Sequence, residues 1–401
     1  MIGKFYTPDS VANLMVSRIP VTKPRYIVDI CAGSGNLLWA ARRKWPKAII
    51  YAVDKDPLTV NHFSPDGSIR FAIGDGHLEV LKKHLYGRCD VVLANPPFIK
   101  TNKPPPKRFD DIIQLINEIR ERVCKRLEAS MLIANLIALA PDGYLALILP
   151  NGLLNGAAWE PLRKLLVQKY RVLEIIDLPK VFKNTGVKSS VVIIRNQSPE
   201  RDSKSIMSAA CLKNGQIFVY KREKVSSELL VRRMDANYVI MNKHNKSMGN
   251  VCLQELPVVL RRGLYSSGDS KSKTGIRIVH STSISSSGQI GYDNLYVSKK
   301  DLKKGIIGET KVGDIVFVRV GKTLGRTGII GEKEKGAIIS DCIFRIRLTN
   351  GYSPKMLFDY VRSDDAKKYF KKVSRGTAAS YVTKADLLSL PIPPYVAKHY
   401  L

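Results

Sequence analysis

Between Tyr26 and Ile194 the chain sets out seven short apolar runs with helical patterns between them: Tyr26–Ile30, Ile49–Val53, Ile69–Ile73, Asp90–Ala94, Tyr144–Leu149, Val172–Ile176 and Val191–Ile194. The runs are rich in Val and Ile, are bounded by turn residues and read as strands covered on both faces. Alternation of such strands with helices predicts an α/β fold built on a Rossmann-like, seven-stranded sheet. A long helical pattern separates the fourth and fifth runs, with Ile112, Ile116, Ile119, Val123 and Leu127 at spacings of three and four. Asp9 and Ser10 offer caps for an earlier helix carrying Val11, Leu14 and Met15. Ligands of such sheets lie beyond the carboxyl ends of the strands, so the residues that follow each run carry the functional information.

The first run leads into Asp29-Ile30-Cys31-Ala32-Gly33-Ser34-Gly35-Asn36 and then a helix. Glycines there allow a tight turn and close approach of a ligand. The acidic Asp29 would repel a pyrophosphate and attract the ammonium of an amino acid. Asp54 closes the second run, a position suited to the hydroxyls of a ribose. Asp75 closes the third, where a carboxylate can accept from an exocyclic adenine amine. An ordinary strand-end turn accounts for one such Asp; three in succession describe a pocket for an amino acid joined to an unphosphorylated nucleoside, which is S-adenosylmethionine rather than NAD or ATP.

The fourth run passes into Asn95-Pro96-Pro97-Phe98. Two prolines stiffen this turn. The Asn95 side-chain carbonyl and the Pro96 backbone carbonyl form a pair of acceptors that can hold a planar amine and draw its lone pair out of conjugation. Phe98 offers a stacking face for a base outside its helix.

In this order the motifs resemble those of amino-group DNA methyltransferases of the gamma arrangement. Gly3-Lys4-Phe5-Tyr6-Thr7-Pro8 is similar to their N-terminal motif, and Val181-Phe182-Lys183-Asn184-Thr185-Gly186 to a later one. The resemblance implies a seven-stranded methyltransferase sheet, S-adenosylmethionine as cofactor and adenine N6 in duplex DNA as the methylated atom. Asn95, Pro96, Pro97 and Phe98 would be the catalytic tetrad, and Phe98 and Phe182 would clasp the extruded base. Cofactor contacts would come from Thr7, Asp29, Cys31, Gly33, Gly35, Asp54, Asp75, Asn95 and Pro97.

Residues after about 250 differ in texture, with Ser- and Gly-rich loops between strands such as Ile315–Val320 and Ile343–Leu348, then one helix opened by Ser353 and Pro354. The stretches Val312–Gly328 and Arg375–Pro394 resemble target-recognition domains of type I restriction specificity subunits and of fused methyltransferases. The expected organisation is a methyltransferase domain at 1–200, a connector at 201–250 and an α+β target-recognition domain at 251–401. Lys100 and Lys103 beside the tetrad, and Lys322, Arg326, Arg375 and Tyr381 on C-terminal turns, are the candidate DNA contacts.

Charge agrees with a polyanionic partner. The chain carries 65 Lys and Arg against 35 Asp and Glu, net +30, and the excess is shared: residues 255–401 hold 26 bases and 13 acids, net +13, leaving +17 for the rest. No apolar run approaches the ~18–20 residues of a membrane span, and Met1–Phe5 lacks the pattern of a secretory signal. The six cysteines are scattered without a Cys-x-x-Cys pair, so no metal site is expected and a reduced cytoplasm fits. The resemblance implies a bacterial or archaeal protein at the nucleoid, working beside a cognate restriction endonuclease or other defence-system subunits. The competing readings are an RNA adenine methyltransferase, a protein glutamine-N5 methyltransferase and a DNA-binding specificity component. The basic C-terminal half argues against the second, and the intact tetrad against the third.

Overall fold

The structure, a computed structural model, describes residues 6–401 apart from 64–66, 102–105, 107–108, 110–111, 113, 183–186, 201, 241–250, 270–273, 292–293, 299–309, 350 and 377–378. It divides into two compact units, Met1–Ile240 and Met241–Leu401.

The first unit contains all seven expected strands: β1 (Tyr26–Asp29), β2 (Ile49–Asp54), β3 (Arg70–Ile73), β4 (Cys89–Ala94), β5 (Leu139–Pro150), β6 (Arg171–Asp177) and β7 (Ser189–Arg195). Two more, β8 (Ser205–Lys213) and β9 (Gln216–Val225), extend the sheet. Among the described residues its order is β3-β2-β1-β4-β5-β7-β6-β8-β9. β1 to β5 are parallel, and β7 runs antiparallel to both of its neighbours. This is the Rossmann-like α/β sheet. Side chains alternate between its faces with the period of two that a strand imposes. Val28, Val92, Leu145, Leu147, Val192 and Ile194 join one apolar cluster with residues of the helices Leu127–Ala138 and Glu160–Lys169. Ile27, Val91, Leu93, Ala146, Ile148, Val191 and Ile193 join another with residues of Asp9–Ser17 and Asn36–Lys44. Because both faces are covered, the central runs need no polar position, and that is why they read as continuous apolar segments. The strand order reverses between β1 and β4, which opens the crevice where ligands of this fold class lie.

Three expectations change. The helical pattern 112–127 is not one helix: it is a 3-10 turn at Gln114–Ile119, a short helix at Arg120–Cys124, and then the helix from Leu127. Arg126 is extended (φ −126°, ψ 112°). At this break the Leu127 N–H donates to the Ile99 carbonyl at 3.0 Å and the Thr101 N–H to the Lys125 carbonyl at 3.1 Å, so the chain after the tetrad pairs with the interruption. The stretch 201–250, expected as a connector with short strands, supplies the long strands β8 and β9 of the first unit's own sheet. They turn at Asn214 and Gly215, both in the left-handed region (φ 49° and 74°), which two-residue hairpins favour.

The second unit is α+β. An antiparallel sheet has the order β11 (Val258–Arg262), β17 (Ile343–Leu348), β14 (Ile315–Val318), β15 (Thr327–Ile329). Smaller sheets comprise β13 (Tyr296–Val297), β12 (Ile276–Val279) and β16 (Ile338–Ile339), and β10 (Val251–Cys252) with β18 (Pro391–Ile392). The third change lies here. The single expected helix after Pro354 divides into Lys355–Arg362 and Asp364–Val373, because Ser363 is extended and its hydroxyl accepts from the Ala366 N–H, starting a new helix. Among the described residues of both units, no helix is long and apolar enough to cross a membrane.

Candidate active site

The turn after β1 is held by carboxylates. Asp29, 1% exposed, accepts the Cys31 N–H at 2.8 Å. Asp54, at the end of β2, accepts the Gly33 N–H at 2.8 Å and the Asp56 N–H at 3.0 Å. Gly33 and Gly35 have φ of 51° and 77°. The positive φ favours glycine at both; at Gly35 space demands it too, since a Cβ there would come within 2.7 Å of Phe63, whereas one on Gly33 would meet the Tyr6 ring at 3.3 Å. Burial pushes the Asp29 carboxyl up to about 8; the Cys31 N–H opposes this and the Asp54 charge adds to it. Burial and the same neighbouring carboxylates also raise the Cys31 thiol well above its ordinary value, so it stays a thiol.

Asp75 follows β3 and caps a short helical turn by accepting the His77 N–H at 3.0 Å. Lys55 lies 2.9 Å from its other oxygen. Burial alone would raise the Asp75 carboxyl, but Lys55 and His77 outweigh it and hold it below the usual range, so this group is a carboxylate at neutral pH. The His77 ring connects Asp75 (3.2 Å) to the Ser130 hydroxyl (3.1 Å), and burial lowers its basicity. With Asp75 ionised and the ring neutral, Nδ1 carries the proton.

The tetrad follows β4, across the crevice from Asp29. Asn95 Nδ2 donates to the Thr7 hydroxyl at 3.0 Å, and the Thr7 carbonyl accepts from Asn36 Nδ2 at 2.8 Å. Three segments remote in sequence, the N-terminal motif, the turn after β1 and the tetrad, therefore meet at Thr7, which is 6% exposed. With Nδ2 committed to Thr7, the other end of the Asn95 amide is Oδ1, an acceptor. Pro96 is buried, Pro97 half-buried. Phe98 is half-buried and packs on the same apolar cluster that contains Phe182, itself 8% exposed. Residues 183–186 of the later motif, and Gly3, Lys4 and Phe5 of the first, lie outside the described residues.

Sequence reasoning gave no role to Tyr6, Asn36 or Phe63. Tyr6 lies over Gly33 with 59% of its surface exposed, Asn36 ties the helix start to Thr7, and Phe63 walls Gly35. Tyr6 and Asn36 adjoin assigned residues, so adjacency was the available signal; Phe63 had none.

Among the candidate DNA contacts, Lys100 is exposed and bridges in backbone to Arg126, and Lys103 lies outside the described residues. Lys322 and Arg326 are exposed on the β14–β15 loop. Arg375 needs correction. It is 7% exposed, and its guanidinium makes two 2.9 Å bonds to Asp386, so it holds the fold rather than facing a ligand. Tyr381 is half-buried; its backbone pairs with Arg375 at 2.8 and 2.9 Å and its ring lies against Gly376.

The chain is similar to several characterised proteins. It is 26% identical over 219 residues to the type II methyltransferase M.VspI of Vibrio sp., covering 53% of this chain and 52% of that one. It is 30% identical over 216 residues to the type I restriction enzyme MjaIX methylase subunit of Methanocaldococcus jannaschii, covering 49% and 38%. The chain thus spans about half the length, or less, of these relatives. Among solved structures, the type IIL restriction-modification enzyme MmeI, in complex with DNA, shares the fold over 95% of this chain and 64% of its own, with a TM-score of 0.52 at 13% identity. The family model for N-6 DNA methylases matches residues 1–236, more than half of the sequence, and the chain belongs to that family.

Proposed function

We propose that the protein is a site-specific DNA methyltransferase of the gamma arrangement, transferring a methyl group from S-adenosylmethionine to adenine N6 in duplex DNA. The observation that carries this is the Thr7 junction, which fixes Asn95 against the turn between Asp29 and Asp54.

The residues present suit that cofactor. A pyrophosphate at the turn after β1 needs backbone N–H groups as anchors. Here the N–H groups of Cys31 and Gly33 are already given to Asp29 and Asp54, so the turn presents carboxyl groups instead. Asp29 would take the ammonium, Asp54 the ribose hydroxyls and Asp75 the adenine amine, with Gly33 and Gly35 leaving room beside them. Bound there, the cofactor supplies an electrophilic methyl group on a sulfonium.

The protein's part in the chemistry is positioning. An adenine drawn out of the duplex would stack on Phe98 and displace or join Phe182. Asn95 Oδ1 and the Pro96 carbonyl would accept hydrogen bonds from the two N6 hydrogens, turning the nitrogen lone pair out of the ring plane and toward the crevice; one of those protons would leave to solvent once the nitrogen has taken the methyl from the sulfonium. In the orientation in which Thr7 accepts from Nδ2, Oδ1 is the end of the Asn95 amide that would meet the amine. Removal of the Phe98 ring should weaken turnover by the ~1–3 kcal/mol of a base–aromatic stack. The C-terminal unit would recognise the target sequence, and the similarity to restriction-system methylases supports a role beside a cognate nuclease.

The test is expression in a host without adenine methylation, followed by sequencing that detects modified adenines. One modified motif is expected, absent with Asn95→Ala while S-adenosylhomocysteine still binds. Unmodified DNA with the native chain, or substantial residual turnover in Asn95→Ala, would reject the assignment.

A further inference from the structure

In the second unit, several loops converge at one end of the antiparallel sheet and carry basic side chains. Arg262 closes β11, Arg319 follows β14, and Lys322 and Arg326 flank the turn into β15. The Arg319 backbone is pinned on both sides: its N–H donates to the Cys342 carbonyl at 2.9 Å, and its carbonyl accepts from the Val382 N–H at 2.8 Å. Its guanidinium lies 5.5 Å from the Phe344 ring centroid and donates from Nη1 to the Asp341 carbonyl at 3.3 Å. Arg262 Nε donates to that same oxygen at 3.0 Å. Two guanidiniums therefore share one backbone carbonyl, and the Asp341 side chain, 3.7 Å from Arg262, is more than a third exposed.

Other arginines of this unit are matched by buried acids. Arg345 and Arg347 converge on Asp314, which is 1% exposed, Arg375 forks onto Asp386, and Arg277 lies 3.5 Å from Glu334. The pair at Asp341 has no such buried acid beside it among the described residues. Arg319 feels this: burial, then the neighbouring Arg262, lowers its pKa. The fold holds two like charges together, with rigid backbone and an aromatic floor, where an anionic or acceptor-rich partner would relieve them.

We propose that Arg262 and Arg319 form a clamp for an acceptor pair on duplex DNA, either the oxygens of a backbone phosphate or the O6/N7 edge of a guanine. The guanidinium fork fits both. This inference rests on the reading of the chain as a DNA methyltransferase, and it sets beside Arg326, in place of Arg375, two arginines that sequence patterns did not single out.

The test uses the full chain, a short mixed-sequence duplex and the methylation-free host. R262A and R319A should each weaken duplex binding roughly tenfold while S-adenosylhomocysteine binding stays at its native value and R262A keeps the native melting temperature. A phosphate contact is read as a loss equal on all sequences, with the salt dependence of binding shallower by about one ion per arginine. A guanine contact is read as a methylated motif that broadens at one position in R319A and also in R319K, which keeps the charge and loses the fork. Should R319A fold poorly, R319K and R262A carry the measurement, since the Arg262 side chain is half exposed. Native binding and an unchanged motif in these variants would overturn the clamp. A native chain that neither binds duplex nor methylates it would overturn the underlying reading, and the clamp with it.

Discussion

At the scale of single residues, the first unit sets stability against binding at Asp29. Its carboxyl is raised to about 8 from an ordinary value near 3.8, chiefly by burial. A carboxyl with a raised folded-state pKa contributes stability that is fully present below the unfolded value and is lost as pH climbs from about 4 toward 8. Asp29→Asn keeps an oxygen to accept the Cys31 N–H and removes the titration. Its melting temperature should therefore exceed that of the native chain by a margin that widens between pH 5.5 and 8, while S-adenosylhomocysteine affinity falls. A margin independent of pH would show that Asp29 is ionised throughout. Thr7 offers a second test. Thr7→Val preserves shape and removes the acceptor of Asn95 Nδ2; the loss of one hydrogen bond, ~1 kcal/mol, and of amide orientation should lower kcat about tenfold with little change in melting temperature. Unaltered single-turnover rates would deny Thr7 its positioning role. Asp29 was legible from sequence because it sits where a strand ends, and Thr7 only through the resemblance carried by Gly3–Pro8. The Arg375–Asp386 fork was not, since a Gly-flanked arginine on a turn looks the same whether it faces solvent or a buried acid eleven residues on.

At the scale of elements, legibility followed burial. β1, β4, β5 and β7 are covered on both faces, so composition alone marks them. β9 is an edge strand whose Ile217 and Val219 pack inward while Phe218 and Tyr220 stay 51% and 61% exposed, a weaker pattern. Its one clear signal was Asn214-Gly215, the dipeptide that fits a two-residue hairpin. The 112–127 segment failed for a different reason: its spacing is helical throughout, but Arg126 leaves the helix to let the chain after the tetrad pair in backbone. Tertiary pairing there overrides local propensity, and it gives the element a function, anchoring the segment that follows Phe98. Leu127→Pro tests this, because proline is tolerated at the first position of a helix and the preceding extended residue suits it. Compared with Leu127→Ala, which trims the same side chain, Leu127→Pro should keep helix content and lose a further ~1 kcal/mol from the missing bond to Ile99. It should also lower methyl-transfer turnover; equal rates in the two variants would mean the tie does not govern the tetrad.

At the scale of the whole molecule, the composition break near residue 200 proved a poor guide to where the first unit ends. The polar stretch after β7 leads into β8 of the same sheet rather than to a boundary, and the chain returns to the same core. Met207, Val225, Leu230, Met234 and Val239 are each at most 4% exposed and belong to the cluster beneath β1, β4 and β5. Polar anchors reinforce them. The buried Arg163 donates to the Val231 and Arg232 carbonyls at 2.8 and 3.0 Å, and Asp177 at the end of β6 accepts twice from Asn237, at 2.9 and 2.8 Å. Burying five such side chains contributes on the order of 10 kcal/mol, comparable with the entire net stability of a domain. A fragment ending at residue 200 should therefore fail to fold, leaving the outer edges of β6 and the apolar cluster bare. A fragment ending at residue 240 should melt cooperatively, bind S-adenosylhomocysteine with near-native affinity and bind duplex DNA far more weakly than the full chain, having lost the second unit's net +15 (28 bases against 13 acids over 241–401). Calorimetry of the two fragments with and without S-adenosylhomocysteine decides the matter: a cooperative, ligand-stabilised transition in residues 1–200 would show that β8, β9 and the segment to Ile240 are an addition to the fold rather than part of its core.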